Sequence, residues 1–185
     1  MSRQMTPRSI LEFWFDAKCR AHWFVSDATF DACVRDLLLT PLEEAKQGRL
    51  DSWRGDADGA LALCLLFDQA PRNIFRGTAE AFATDPQARD VARHILSCGF
   101  DLAYESDEQR AFAYLPFEHS EELADQDLSL RLFTERTGDP AFQRHARQHR
   151  EIIARFGRFP HRNALLGRVS TAAELAFLSA SSPYT

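Results

Sequence analysis

The feature that most constrains the fold is an unbroken apolar run at residues 60–67, followed at once by residues dense in charge and amide groups. A helix that is apolar on every side must be buried on every side. The polar residues that follow therefore begin inside the protein, where each needs a hydrogen-bond partner or a ligand. We expect a central helix from about residue 59 to residue 70. Pro71 should end it, because proline disfavours helical geometry in the residue before it.

Composition favours helices throughout. The chain has 185 residues, which is enough to bury a sizeable core in one domain. Alanine and leucine far outnumber valine and isoleucine, and this balance favours helix over strand. Fifteen Phe and three Trp supply large, rigid pieces for the core. We therefore predict a single all-α domain over residues 1–185.

Local signals place the helix ends. Serine, threonine or aspartate caps and first-turn prolines mark starts, and glycine marks stops. Ser106 and Gln109, for example, have the spacing of a capping box. These signals predict about eight or nine helices joined by short loops. Pro41 should kink or break its helix, and Pro116 should interrupt another. No clean repeat of roughly 34 residues appears, so we predict an irregular stack of antiparallel helix pairs.

Several classes of protein do not fit the chain. The net charge of −5 argues against nucleic-acid binding, which needs a basic surface. No apolar run approaches the roughly 20 residues that span a membrane, and residues 1–9 do not look like a secretory signal. The four cysteines are far apart, so we expect a reducing, cytoplasmic setting. The chain has no phosphate-cradling glycine loop, and we predict no cofactor.

One histidine pair has a spacing that can chelate a metal. His145 and His149 lie four residues apart on a predicted helix, but Arg147 and Arg150 beside them would repel a cation. His149 falls on the apolar stripe of that helix. We therefore interpret it as a half-buried histidine and predict no metal site.

Five motifs together resemble a known family. They are Phe13-Trp14-Phe15, Trp23-Phe24, the run at residues 68–77, the run at residues 114–121 and the run at residues 156–163. In combination they resemble a bacterial family of unknown function, the domain-of-unknown-function family numbered 924, along nearly the whole chain. The resemblance implies an all-helical fold similar to the tetratricopeptide superfamily. It implies no activity, since none is established for the family.

Three polar segments carry the residues able to do chemistry. They lie around residues 68–76, 116–122 and 157–163, and we predict that they converge at one end of the helix bundle. In the last turn of its predicted helix, the Asp68 carboxylate would interact unfavourably with the negative end of the helix dipole. A nearby guanidinium could offset that unfavourable interaction. The candidate ligand-binding residues are Asp68, Gln69, Arg72, Asn73, Glu118, His119, Arg158, His161, Arg162 and Asn163.

Two interpretations of these segments stay open. In the first they form a structural latch, in which carboxylates and guanidiniums neutralise one another and hold the chain together. In the second they form a pocket for a small anionic ligand, with His119 as a general acid or base paired with Asp68 or Arg162. A latch predicts that every buried charged group is paired, whereas a pocket predicts unpaired groups.

Two function classes also stay open. By fold analogy, the chain would be a helical binding or scaffolding protein with a protein or peptide partner on an apolar face. By its polar residues, it would be a small enzyme or anion-binding protein.

Overall fold

The computed structural model describes residues 5–180, and every regular element in that range is helical. The α-helices are α1 (Pro7–Trp14), α2 (Ala17–Arg20), α3 (Ala28–Lys46), α4 (Ala57–Ile74), α5 (Asp85–Cys98), α6 (Asp107–Glu118), α7 (Leu123–Arg136), α8 (Pro140–Phe156) and α9 (Ala172–Ala180). Short 3₁₀ turns lie at Asp51–Gly55, Ala79–Phe82, Phe100–Leu102 and Pro160–Arg162. The all-α prediction is confirmed for this part of the chain. The likeness to the tetratricopeptide superfamily stays a prediction.

Helix α4 is the centre of the fold. It packs against α1, α3, α5 and α6, while α7 and α8 complete the stack on the far side of α6. Every residue from position 59 to position 71 is buried, including Asp68 and Gln69. The apolar run therefore forms the core, and its polar continuation lies at the same depth. No helix within residues 5–180 is long and apolar enough to cross a membrane.

Helix α4 does not end at Pro71, so that prediction was wrong. Proline lacks an amide hydrogen, which leaves the carbonyl group four residues earlier without its helical partner. That carbonyl belongs to Phe67, and it accepts a hydrogen bond of 2.6 Å from the Thr84 hydroxyl. Because a side chain from the next segment replaces the lost bond, the helix continues to Ile74.

A side-chain hydrogen bond also replaces the lost backbone bond in α6, so the interruption predicted at Pro116 was wrong as well. The carbonyl four residues earlier belongs to Phe112, and it accepts a hydrogen bond of 3.4 Å from Cys64 Sγ on α4. Helix α6 therefore continues to Glu118. Helix α3 likewise runs through Pro41 without a break.

These continuations change the setting of the predicted site. Asp68 and Arg72 lie inside α4, and Glu118 is the last residue of α6, so the first two polar segments are mainly helical. Asp68 lies well before the end of its helix, so the negative end of the helix dipole does not act on it as predicted. Contacts with other elements must balance its charge instead.

The start of α4 is set by close packing at Gly59. A Cβ atom at this position would lie 2.1 Å from the carbonyl oxygen of Trp53. Asp56 caps the helix by accepting a hydrogen bond of 2.8 Å from the Gly59 amide. The 3₁₀ turn at Asp51–Gly55 therefore lies directly on the first turn of the central helix.

Candidate functional site

A buried carboxylate on α4 meets a histidine at the end of α6. His119 Nδ1 lies 2.8 Å from Asp68 Oδ1, and Gln69 Nε2 donates a hydrogen bond of 2.6 Å to the other carboxylate oxygen. The Asp68 side chain is only 1% exposed. Burial by itself would raise the pKa of Asp68, but Arg72 and His119 outweigh it and hold that pKa well below its usual value. Asp68 is therefore a buried anion at neutral pH.

A second carboxylate lies between two arginines. Arg72 Nη1 donates hydrogen bonds to the Asp68 carbonyl oxygen at 2.6 Å and to Asp85 Oδ1 at 2.9 Å. It also lies 3.3 Å from Asp68 Oδ1. From the 3₁₀ turn after α8, Arg162 Nη1 lies 3.4 Å from Asp85 Oδ2. The contacts thus run from Asp68 through Arg72 and Asp85 to Arg162.

Arg162 is buried between elements that are distant in sequence. Its guanidinium carbon lies 4.6 Å from the ring centroid of Phe82 and 4.5 Å from that of Phe159, within cation–π range of both. Burial and the charge of Arg72 lower the pKa of Arg162 to about 10. The side chain therefore remains charged at neutral pH although it is only 7% exposed.

Next to these ion pairs, Glu118 has a neutral carboxyl group. Glu118 Oε1 is 3.1 Å from His149 Nδ1 on α8. Burial, and then the charge of Asp68, raise the pKa of Glu118 to about 8. Burial also lowers the pKa of His149 to about 3, although its hydrogen bond to the His145 carbonyl opposes this. At neutral pH the pair therefore consists of a protonated carboxyl and a neutral imidazole.

His119 is also neutral at neutral pH. Burial and the charge of Arg72 lower its pKa, while Asp68 acts in the opposite direction. We call Asp68, Arg72, Asp85, Glu118, His119, His149 and Arg162 the polar cluster. At neutral pH its two carboxylates balance its two guanidiniums.

Two donors in the polar cluster lack acceptors. Arg72 Nη2 and Arg162 Nε are buried, and neither has a hydrogen-bond partner within residues 5–180. Leaving a buried polar group unpaired costs about 1–3 kcal/mol, and more when the group is charged. An additional acceptor would complete the hydrogen bonds of both guanidiniums, as it would for Arg168 Nε, which is also buried and unpartnered within residues 5–180.

A separate ion pair fastens the loop that carries Arg162. Glu121 accepts hydrogen bonds of 2.7 and 2.9 Å from the two terminal nitrogens of Arg168. It also accepts one of 2.8 Å from the Phe159 amide. These contacts tie the segment after α8 to the turn between α6 and α7, and so hold the Phe159 ring against Arg162.

Two predicted residues of the third segment lie outside the polar cluster. Arg158 donates to both oxygens of Glu174, at 2.6 and 2.8 Å, and so holds α9 in place. Asn163 Nδ2 donates to the Ser170 hydroxyl at 3.0 Å. In both cases the contacts fit a structural role in the C-terminal segment, and the predicted ligand-binding role is not tested by them.

Two further predicted residues, Asn73 and His161, lie at the border of the polar cluster. Asn73 donates to the Gln69 carbonyl at 3.0 Å and accepts from Arg76, which binds Asp31 on α3 through two hydrogen bonds. Both side chains therefore face α3. His161 is exposed, and its ring centroid lies 5.5 Å from that of Phe159.

Sequence reasoning missed Asp85 and His149 as members of the polar cluster. Asp85 precedes Pro86 and was interpreted only as a helix start, which it also is. His149 was interpreted as a half-buried histidine on the apolar stripe of α8, and its side chain is indeed 18% exposed. A histidine on such a stripe has to find a partner, but the sequence does not indicate which one.

Comparison with known proteins agrees with the motifs quoted above. A family model described as "Bacterial protein of unknown function (DUF924)" matches residues 10–182. The chain belongs to this family. Its fold is similar to that of a solved structure, the protein of unknown function ATU0120 from Agrobacterium tumefaciens, with a TM-score of 0.89 and 42% identity. The match covers 95% of this chain and 97% of that one. No curated protein matches the chain.

Proposed function

We propose that this DUF924 protein binds a small anion, with a carboxylate or phosphate group, at the polar cluster. The observation that carries the proposal is the pair of buried, unpartnered donors, Arg72 Nη2 and Arg162 Nε. Guanidinium groups bind carboxylate and phosphate oxygens through parallel hydrogen bonds, which are stronger than those between neutral groups. A bound anion would supply the missing acceptors.

The surroundings of Arg162 support binding rather than simple neutralisation. Its contact with Asp85 is long, at 3.4 Å, so this carboxylate engages it weakly. Stacking on Phe82 and Phe159 holds the guanidinium plane in position without using its N–H groups. A site built in this way has a fixed cation with one donor, Arg162 Nε, that no group within residues 5–180 engages.

Titration with small anions tests the proposal. Binding of phosphate, sulfate, acetate and malonate is measured by calorimetry and protein NMR, with chloride at matched ionic strength as the reference. We expect saturable binding of at least one oxyanion, and at least tenfold weaker binding in Arg162→Lys and in Arg72→Lys. Lysine keeps the charge but loses the planar fork.

Arg150→Lys is the matched control, because Arg150 pairs with Asp127 and lies outside the polar cluster. It should bind as tightly as the wild type. Melting temperatures establish that each variant is folded. Binding that does not saturate, or that is unchanged in both cluster variants, contradicts the proposal.

A second proposal is the helical binding module suggested by the fold analogy, with a peptide as its partner. It has its own supporting observation, a concavity of about 630 Å³ between α1, α2 and α3, whose lining includes the apolar faces of Phe13, Cys19 and Phe30. A large apolar peptide side chain fits such a groove. The test is fluorescence anisotropy with a panel of labelled apolar peptides. Rim variants Thr29→Arg and Cys33→Arg should abolish any binding.

The setting that suits either proposal is the cytoplasm. All four cysteines are free, and Cys33 and Cys98 are exposed. Exposed thiols persist in a reducing compartment.

A further inference from the structure

We infer that His119 is a general base, and that the protein is an enzyme which removes a proton from a small 2-oxo acid bound at the polar cluster. The inference rests on the proposed function, because Arg72 and Arg162 must first hold the substrate. It goes further by assigning a reaction and a substrate class.

Asp68 sets the orientation and the tautomer of the histidine. A carboxylate can only accept, so the hydrogen in the 2.8 Å contact belongs to Nδ1 of His119. The lone pair of the neutral ring is then on Nε2. Within residues 5–180, no hydrogen-bond partner contacts Nε2. Asp68 is itself held by Gln69 and Arg72, so the ring is fixed with its basic nitrogen available.

Shared carboxylates connect the histidine to the two guanidiniums, and the proposed substrate would contact all three. His119 and Arg72 contact the same oxygen of Asp68, at 2.8 and 3.3 Å. Arg72 and Arg162 contact the two oxygens of Asp85. The unpaired donors are on different arginines, so a ligand with two acceptors could pair with both. A carboxylate beside a carbonyl oxygen, as in a 2-oxo acid, has this arrangement.

The proposed step is a proton transfer that needs no co-reactant. His119 Nε2 takes the hydrogen from the carbon next to the carbonyl group, so that the C–H bond breaks and an N–H bond forms. The electron pair of the C–H bond forms a carbon–carbon double bond, and the carbonyl oxygen becomes an enolate. A guanidinium stabilises the enolate, and Asp68 stabilises the imidazolium. Return of the proton to carbon regenerates the neutral histidine.

The ionisation states at neutral pH leave the histidine unprotonated. Because the pKa of His119 is lowered, the ring is neutral and the Nε2 lone pair is available. Glu118 beside it is protonated and adds no competing negative charge at the anion site. The arginines remain charged.

Deuterium exchange measures the step directly. The protein is incubated in D₂O with pyruvate or with 2-oxobutanoate, and loss of the C3 protons is followed by proton NMR after subtraction of the buffer-catalysed rate. Binding of each probe is measured on the same samples. We expect exchange by the wild type and a loss of about 100-fold in His119→Gln, the lower range for a general base. The control, Arg150→Lys, changes an arginine that pairs with Asp127 outside the polar cluster, and it should exchange at the wild-type rate.

Asp68→Asn separates a positioning role from a structural one. Without the Asp68 charge, the pKa of His119 should fall further, so the half-maximal exchange rate should move to lower pH while the maximal rate also falls. His119→Gln keeps an amide donor toward Asp68 and is expected to fold even if Asp68→Asn does not. A structural role alone would move neither the pH profile nor the rate.

The outcomes distinguish the two proposals. If no 2-oxo acid or other oxyanion binds, the proposed function fails, and this inference fails with it. If pyruvate or 2-oxobutanoate binds in an Arg162-dependent manner but exchanges no faster with the wild type than with His119→Gln, the inference alone is overturned. If other oxyanions bind but neither 2-oxo acid does, the assigned substrate class is wrong, and that also overturns it.

Discussion

Asp68 and His119 are separated by 51 residues in the chain, yet Oδ1 of one lies 2.8 Å from Nδ1 of the other. The contact joins the middle of α4 to the C-terminal end of α6. It places a charged carboxylate, only 1% exposed, in the centre of an all-helical fold. The cost of burying that charge is offset by Arg72 and His119, so the stability of the protein should depend on these contacts.

Replacing Asp68 by Asn should therefore destabilise the protein by about 3 kcal/mol, because it leaves the Arg72 charge buried with one partner fewer. Urea unfolding followed by circular dichroism measures this change. The matched control is Asp31→Asn, which also removes a carboxylate from an arginine. Its partner Arg76 is 40% exposed, so the cost should stay below about 1 kcal/mol. Equal costs at the two positions would contradict the account of Asp68.

Glu118 gives a prediction about pH. Its pKa of about 8 in the folded protein lies above the ordinary 4.5, so the folded state holds this proton more tightly than the unfolded state. The resulting stabilisation is complete below about pH 4.5 and is lost as the pH rises toward 8. Glu118→Gln cannot ionise and should lose none of it.

Relative to the wild type, Glu118→Gln should therefore gain about 2 kcal/mol of unfolding free energy between pH 6.5 and pH 8. His149, with a pKa of about 3 in the folded protein and ordinarily 6.5, is present in both proteins, so its own titration contributes equally to both stabilities. Unfolding by urea at pH 6.5, 7.2 and 8 measures the difference. A constant difference across the window would show that Glu118 is not a buried neutral acid.

Close packing at Gly59 predicts a large effect from a single methyl group. In Gly59→Ala, the new Cβ would lie 2.1 Å from the Trp53 carbonyl oxygen, and a backbone shift would be needed to relieve the overlap. We expect a loss of about 3 kcal/mol in stability, at the upper end for overpacking. Gly55→Ala is the control, because no atom lies within 4 Å of the new Cβ there. Thermal unfolding of both variants distinguishes crowding from a general effect of glycine replacement.

The contact between Arg158 and Glu174 predicts a local effect. Arg158→Ala removes both hydrogen bonds to Glu174 and should speed amide hydrogen exchange in α9, since few other contacts hold that helix. Exchange in α4 and α6 should be unchanged. Arg150→Ala, which breaks the contact with Asp127 between α7 and α8, should leave α9 as it is. Faster exchange throughout the molecule would show that this pair stabilises more than the C-terminal helix.

The continuation of α4 and α6 through their prolines depends on residues that are distant in sequence. Pro71 and Pro116 each remove one helical hydrogen bond, and from sequence alone this predicts the end of a helix. The replacement donors are Thr84 and Cys64, which lie 17 and 48 residues away from the carbonyl groups they satisfy. Only packing brings these groups together, so the continuation of α4 and α6 could not be derived from the neighbouring residues.

The sequence by itself determined the features that depend on near neighbours. These are the helical composition, the burial of the run at residues 60–67, and caps such as Ser106 with Gln109, where both hydrogen bonds of the capping box are present. It also indicated which segments carry charge. Tertiary structure alone decided which of those charges meet, because Asp85 and Arg162 are 77 residues apart and Asp68 and His119 are 51 apart. Such contacts depend on how whole helices pack, and the unpaired donors on Arg72 and Arg162 follow from that packing rather than from any motif.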